Sequence, residues 1–235
     1  MSRPPREARL IVALDVPRAA DARALVERLG DAVRFYKVGL ELFSAGGYFE
    51  LIDWLAARGC KVFADLKLYD IPETVRRAVA NLRASGATFL TVHGQRSVME
   101  AAVREKGALG ILAVTVLTSF DARDLAEIGP GASVEQLVLQ RARGALETGC
   151  DGVIASGLEA PKLKAAFGER LLVVTPGIRP VENRGADDQK RTVDVAQAFA
   201  NGADYIVVGR PVRDAADPRA AAQAIQRTIA SIFPA

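Results

Sequence analysis

Short, nearly continuous apolar runs alternate along this chain with longer stretches in which apolar residues recur at helical spacing. The runs cover 10–14, 35–38, 61–66, 88–92, 110–117, 151–155, 171–174 and 204–208. They are rich in Val, Ile, Leu and Phe and lack the polar alternation of a half-exposed strand. That is the pattern of strands covered on both faces, as in parallel sheets wrapped by helices. The intervening stretches, such as 19–29 and 134–146, predict amphipathic helices; in the second, Val134, Leu137, Val138, Arg141 and Ala145 fall on or near one stripe. Glycines at 30, 59, 86, 107, 149, 168 and 202 stand where these helices should stop, and glycine suits the left-handed position that ends a helix. Eight strands, each followed by helix and with no break in composition, predict an α/β fold: a single (β/α)8 TIM barrel over 10–235, preceded by an N-terminal tail at 1–9. An open doubly wound sheet is the competing architecture, but the first strand is not followed by a G-x-G-x-x-G turn.

In such a barrel the chemistry lies at the C-terminal ends of the strands. There the chain places Asp15 after strand one, Lys37 on strand two, Asp65-Leu66-Lys67 on strand three with Asp70 beyond it, His93 at the end of strand four, and Thr118-Ser119 after strand five. Residues two apart on a strand face the same side, so Asp65 and Lys67 point together into the barrel mouth. Charge in that position is costly unless paired. Lysine is scarce: seven of the 31 basic residues, the other 24 being arginine. Two of the seven, Lys37 and Lys67, sit near the mouth, and a lysine can be tuned to give up a proton where an arginine cannot. The spacing alone is equally compatible with a structural ion-pair cluster closing the barrel top.

Strand seven leads into Thr175-Pro176-Gly177-Ile178-Arg179, and strand eight into Gly209-Arg210-Pro211. The loops after these two strands are where barrels commonly hold a phosphate, with glycine admitting the anion to the backbone and arginine gripping it. The polar stretch 177–189 is long for a barrel loop and is expected to act as a lid.

Composition changes this picture only by exclusion. Half the residues are hydrophobic, a quarter are charged and the net charge is +3, which calls for neither nucleic acid nor a membrane surface as a partner. The segment Met1 to Arg9 has no apolar signal region and no later run is long enough to span a bilayer, so a cytoplasmic protein is expected. Cys60 and Cys150 match no metal or redox spacing and read as free thiols in a reducing compartment.

The strand-end residues together resemble the orotidine 5′-phosphate decarboxylases. The motifs follow in family order over 10–218: Val-Ala-Leu-Asp15; Tyr-Lys37-Val-Gly; Asp65-Leu-Lys67-Leu-Tyr-Asp70-Ile-Pro; Val-His93; Val-Leu-Thr118-Ser; Thr-Pro-Gly-Ile-Arg179-Pro; Asp188-Gln189; and Val-Gly209-Arg210-Pro. The resemblance implies decarboxylation of orotidine 5′-phosphate to UMP without metal or organic cofactor. Lys67 would protonate C6 beside Asp65, and Asp15 and Lys37 would hold ribose hydroxyls and buttress the charges. Asp70, Ile71 and Thr74 would reach into the site of a partner subunit in a homodimer. Thr118 or Ser119 would meet the pyrimidine edge; Gln189, Gly209 and Arg210 would bind the phosphate; Arg179 would lie in or near the lid. The family commonly has Asn where this chain has Glu73, which reads as tuning of a helix N-terminus. His93 is expected to be a hydrogen-bonded residue behind the site, with no catalytic part. Two other functions compete: a metal-dependent sugar-phosphate decarboxylase or aldolase of the same barrel superfamily, whose metal Lys37 would repel, and a non-catalytic phosphate-binding barrel, which has no use for a lysine beside two carboxylates.

Overall fold

The computed structural model of the protein describes residues 4–120, 124, 133–179 and 192–234. Eight parallel strands close into a barrel in sequence order: β1 Leu10–Ala13, β2 Phe35–Gly39, β3 Lys61–Leu68, β4 Phe89–His93, β5 Gly110–Val114, β6 Gly152–Ile154, β7 Leu172–Thr175 and β8 Tyr205–Val208. β8 returns to pair with β1, so no edge is left open. Every apolar run of the sequence became a strand, shifted by a few residues at most. The expected helices are present as Ala19–Leu29 and Val134–Thr148. Ser133 and Gln136 form a reciprocal capping box at the start of the latter, and Gly149 (φ 88°, ψ 23°) ends it in the left-handed conformation. The other six glycines expected at helix ends also have positive φ.

Within the segment expected as a tail, Ala8 and Arg9 are already buried before β1 begins. Arg6–Ala8 forms a 3-10 turn, and the Arg9 guanidinium lies 3.8 Å over the Phe233 ring while donating to the Asp204 carbonyl at 3.1 Å. An aromatic face and a carbonyl together let a buried arginine close the bottom of the barrel.

Two apolar layers stabilise the fold. The larger lies between the strands and the surrounding helices. The smaller fills the barrel and contains Ile11, Phe35, Phe63, Phe89, Leu112, Val174 and Tyr205 among others. Phe35, Phe89 and Tyr205 meet pairwise at 5.4 to 5.8 Å, two of the three contacts being edge-to-face, and Phe63 adds an edge-to-face contact to Phe89 at 6.3 Å. Loss of one such ring, as in Phe35→Ala, is expected to cost about 3–5 kcal/mol. This aromatic floor sets the stage for the site. Two residues further along β2, β3 and β4, on the same inward face, Phe35 gives way to Lys37, Phe63 to Asp65 and Phe89 to Thr91.

The β3–β4 pairing breaks at this level. Ala64 pairs with Leu90, and the next pair is Leu68 with Val92, so β3 carries two extra residues. The bulge is absorbed at Lys67, whose φ of 47° makes it the only non-glycine residue with positive φ among the described residues.

Candidate active site

Four charged side chains from three strands meet at the mouth. Lys37 Nζ lies 2.8 Å from Asp15 Oδ1 and 3.5 Å from Asp65 Oδ2, and Lys67 Nζ lies 2.9 Å from the same Asp65 oxygen. The other Asp65 oxygen accepts a hydrogen bond from the Thr91 hydroxyl at 2.8 Å. Lys37 and Asp65 are buried. Burial pushes the Asp65 carboxyl upward, but Lys37 and Lys67 and the hydrogen bonds from Lys67 and Thr91 outweigh it and hold the group below the usual carboxylate range. Burial likewise pushes Lys37 down, and Asp65 and Asp15 overcome it, so this ammonium titrates above the usual lysine range. Lys37 is therefore a cation and Asp65 an anion at neutral pH.

The magnitudes put the whole cluster close to balance against an apolar replacement, although removing one partner alone is costly. At an effective dielectric near 20, a pair about 3 Å apart gains about 5–6 kcal/mol. Removing each ion from water costs several kcal/mol, so the sum is near balance. A cluster of apolar residues would do as well structurally. What four interlocked charges supply is an ammonium held at a fixed place in the mouth.

The mouth opens into a cavity of about 280 Å³. One wall is apolar, with Ala13, Phe63, Val114, Ile154 and Val207; the charged array forms another; Thr118 lies on the rim. Gly177, Arg179, Gly209, Arg210 and Arg213 also line it. The two loops expected to hold phosphate are thus adjacent, as the order of β7 and β8 requires. Arg179 is buried, with its backbone N–H donating to Val193 O at 3.0 Å. Arg213 was not foreseen from sequence. Its Nη1 donates to the Asp15 carbonyl at 2.6 Å and its guanidinium pairs with Asp214, tying the exit of β8 to the exit of β1. Thr91 also escaped notice, although the repeated pattern Phe35-x-Lys37, Phe63-x-Asp65, Phe89-x-Thr91 on three successive strands is a signal that could have found it.

Other expected residues do not join this cavity. Asp70, Ile71 and Thr74 are exposed and do not line it, nor does exposed Ser119. Asp70 Oδ1 instead accepts from the Ile71 backbone N–H at 2.7 Å. Ile71 and Tyr69 show 67% and 64% of their surface to solvent, the most exposed large apolar side chains described. Gln189 and most of the 177–189 lid lie outside the described residues. The helix Pro72–Leu82 starts with proline in its first turn, as expected, and Glu73 is held well below the usual range, to about 2, by hydrogen bonds from Arg76 and Arg77. His93 departs from expectation. Instead of a hydrogen bond among the described residues, its ring packs against the Tyr69 ring with centroids 5.1 Å apart. Burial, reinforced by Arg141 and Lys67, lowers its pKa and keeps it neutral. Cys60 and Cys150 are free thiols.

A parallel eight-stranded barrel that sets a lysine–carboxylate array against a cationic rim at the ends of β7 and β8 defines a barrel enzyme built for a small anionic substrate. The comparisons narrow the class. The chain belongs to the orotidine 5′-phosphate decarboxylase / HUMPS family, whose model matches residues 8–225. It is 63% identical over 227 residues to the orotidine 5′-phosphate decarboxylase of Methylococcus capsulatus, covering 97% of this chain and 94% of that protein. It is 52% identical over 229 residues to the enzyme of the same name from Stenotrophomonas maltophilia, covering 97% of this chain and 95% of that protein. Among solved structures, the orotidine 5′-phosphate decarboxylase of Lactobacillus acidophilus superposes with a TM-score of 0.83 at 36% identity, covering 94% of this chain and 99% of that one.

Proposed function

We propose that the protein decarboxylates orotidine 5′-phosphate to UMP in pyrimidine biosynthesis, with Lys67 as the proton donor. The observation that carries this reading is the Lys67 ammonium, held 2.9 Å from buried Asp65 in a cavity that Arg179, Gly209 and Arg210 also line. Loss of CO2 leaves an electron pair on C6 of the pyrimidine. A fixed ammonium beside that carbon stabilises the developing charge and then transfers its proton, giving C6–H and a neutral amine that solvent recharges. Asp65 holds the ammonium in place and stands close to where the substrate carboxylate must lie, so repulsion between the two is relieved as CO2 departs. Lys37 and Asp15, both on the cavity wall, are assigned to the ribose hydroxyls, and Thr118 to the pyrimidine edge. Arg179, Gln189, Gly209 and Arg210 are assigned to the phosphate, whose binding energy would organise the loop that follows Gly177.

The site is read as shared within a homodimer. Asp70, Ile71 and Thr74 are exposed on one chain, beside exposed Tyr69, and an apolar patch flanking an exposed carboxylate is suited to insertion into a second copy. A cytoplasmic enzyme acting on a free nucleotide, without nucleic acid or membrane as partner, completes the reading. In keeping with it, no helix among the described residues is long and apolar enough to cross a membrane.

A metal-dependent sugar-phosphate enzyme is the other activity such a barrel could carry. The donor set disfavours it: Lys37 Nζ occupies the space between Asp15 and Asp65 where a divalent cation would need their oxygens. The test is UMP formation followed by ultraviolet absorbance with and without a strong chelator, for the parent and for Lys67→Ala. Full activity of the parent in chelator and loss of at least about 10⁴-fold in kcat for the variant are expected. Chelator-abolished activity, or substantial turnover by the variant, refutes the reading.

A further inference from the structure

We propose that Thr91 is a positioning residue for the decarboxylation: its buried hydroxyl locks the Asp65 carboxylate and the Lys67 backbone into the arrangement that aims the Lys67 ammonium. This rests on the assignment of Lys67 as proton donor.

Thr91 has no exposed surface. Its Oγ1 accepts a hydrogen bond from the Lys67 backbone N–H at 3.0 Å and donates one to Asp65 Oδ1 at 2.8 Å. A hydroxyl has one donor and can accept as well, so both contacts are made by one atom with no conflict of direction. The Lys67 N–H needs such a partner. The β3–β4 ladder is interrupted between Ala64 and Leu68, so this amide has left the regular pairing. Lys67 also sits at positive φ, a conformation that costs a lysine roughly 1 kcal/mol or more and that neighbouring structure must enforce. Thr91 supplies that restraint from the adjacent strand. The same atom orients the carboxylate whose other oxygen pairs with both ammonium groups. Backbone and side chain of the donor lysine are therefore referenced to one point.

Thr91 does not line the cavity, and its hydroxyl makes both contacts. It stands above Phe89 as Asp65 stands above Phe63 and Lys37 above Phe35, the third polar member of an inward-facing tier whose other two members carry charge.

The test compares Thr91→Val, which keeps the shape and removes both hydrogen bonds, with Thr91→Ser, which keeps them. Misplacing a reacting group by about 1 Å can cost on the order of 100-fold. Thr91→Val is accordingly expected to lower kcat by about 10- to 100-fold with KM within about threefold, since the phosphate grip lies elsewhere. Its acid limb in kcat should move to higher pH, because Asp65 loses a donor that favours its charged form. Thr91→Ser should keep kcat within about threefold and leave the limb in place. A purely structural threonine would lower the melting temperature and move neither the pH profile nor the ratio of kcat to KM effects. Near-parental kcat for Thr91→Val, or an equal loss in Thr91→Ser, overturns the proposal. Should Thr91→Val not fold, Thr91→Ser decides alone, a tenfold or greater loss refuting the role. Lys67→Ala run in parallel separates the two layers of argument. Retained turnover there overturns the donor assignment and this inference together, whereas an inactive Lys67→Ala beside a fully active Thr91→Val overturns the positioning role only.

Discussion

Replacing Lys67 by glycine should leave a more stable protein than replacing it by alanine. The reason is the backbone. Lys67 holds a φ of 47°, a region where Cβ crowds the following carbonyl at a cost of about 1–2 kcal/mol for any residue but glycine. Alanine keeps that cost and glycine removes it. Against this, glycine loses more backbone freedom on folding, worth about 0.5–1 kcal/mol in favour of alanine. The loss of the ion pair to Asp65 at 2.9 Å is common to both variants and cancels. Glycine therefore wins by up to about 1.5 kcal/mol, with a midpoint of about 0.75, a reversal of the order expected at a regular strand position. For a chain of 235 residues that difference is a few degrees in Tm at most, by the scaling of roughly 2–4 °C per kcal/mol. Urea unfolding is the more direct assay, with midpoints compared at equal m-values and equal protein concentration so that any dimerisation contributes alike. Both variants should be inactive. If alanine proves more stable than glycine by 0.5 kcal/mol or more, Lys67 does not occupy the left-handed region, and the account of the bulge as a device for aiming its ammonium fails.

Lys37→Met should destabilise the fold by about 3 kcal/mol, because it leaves buried Asp65 and neighbouring Asp15 facing each other with one cation fewer; melting curves check this, and a neutral result refutes it. In the parent, Asp65, with its folded pKa below the ordinary value, contributes stability above the unfolded carboxylate range and loses it only as pH falls through its lower folded value. Lys37, raised, contributes stability below the unfolded lysine range and loses it only as pH rises past its higher folded value. These two groups thus leave stability flat from about pH 5 to 9, and in Lys37→Met the acid edge should move upward, as pH-dependent unfolding would show. Arg210→Ala should raise KM by roughly 30- to 100-fold, the worth of about 2–3 kcal/mol of charge-assisted hydrogen bonding, with kcat for bound substrate reduced far less; an unchanged KM removes Arg210 from the phosphate site. Ile71→Asp should weaken self-association and activity together in matched sedimentation and rate measurements, and a fully active monomer would show that Asp70, Ile71 and Thr74 do not complete a neighbour's site.

Much of this protein could be read without coordinates, and the reason is local. An apolar run buried on both faces, a stripe at helical period and a glycine at a helix end are each decided by residues close in sequence. That is why eight strands, the helices at 19–29 and 134–146 (the second running on to Thr148) and glycines of positive φ near helix ends could be assigned from the residues alone. Asp15, Lys37, Asp65 and Lys67 were legible for a related reason. Charge at the inner end of a buried strand is expensive and calls for an explanation. The period-two rule also placed Asp65 and Lys67 on one side, although the register shift between Ala64 and Leu68 means that a bulge helps set their final geometry.

Tertiary structure alone decided what depends on the neighbouring strand. The repeated Phe-x-polar pattern marks Thr91 as inward-facing, but its part comes from β4 lying beside the bulge of β3 and presenting a hydroxyl to both Asp65 and Lys67. Arg213 matters because closure of the barrel brings β8 against β1, within reach of the Asp15 carbonyl. His93, the sole histidine, has among the described residues an aromatic contact that no spacing predicts in place of its expected hydrogen bond. Composition and periodicity determine which segments become strands and which ends carry charge, since these follow from burial along a single element. Hydrogen bonds between elements depend on register and closure, which the whole barrel settles at once.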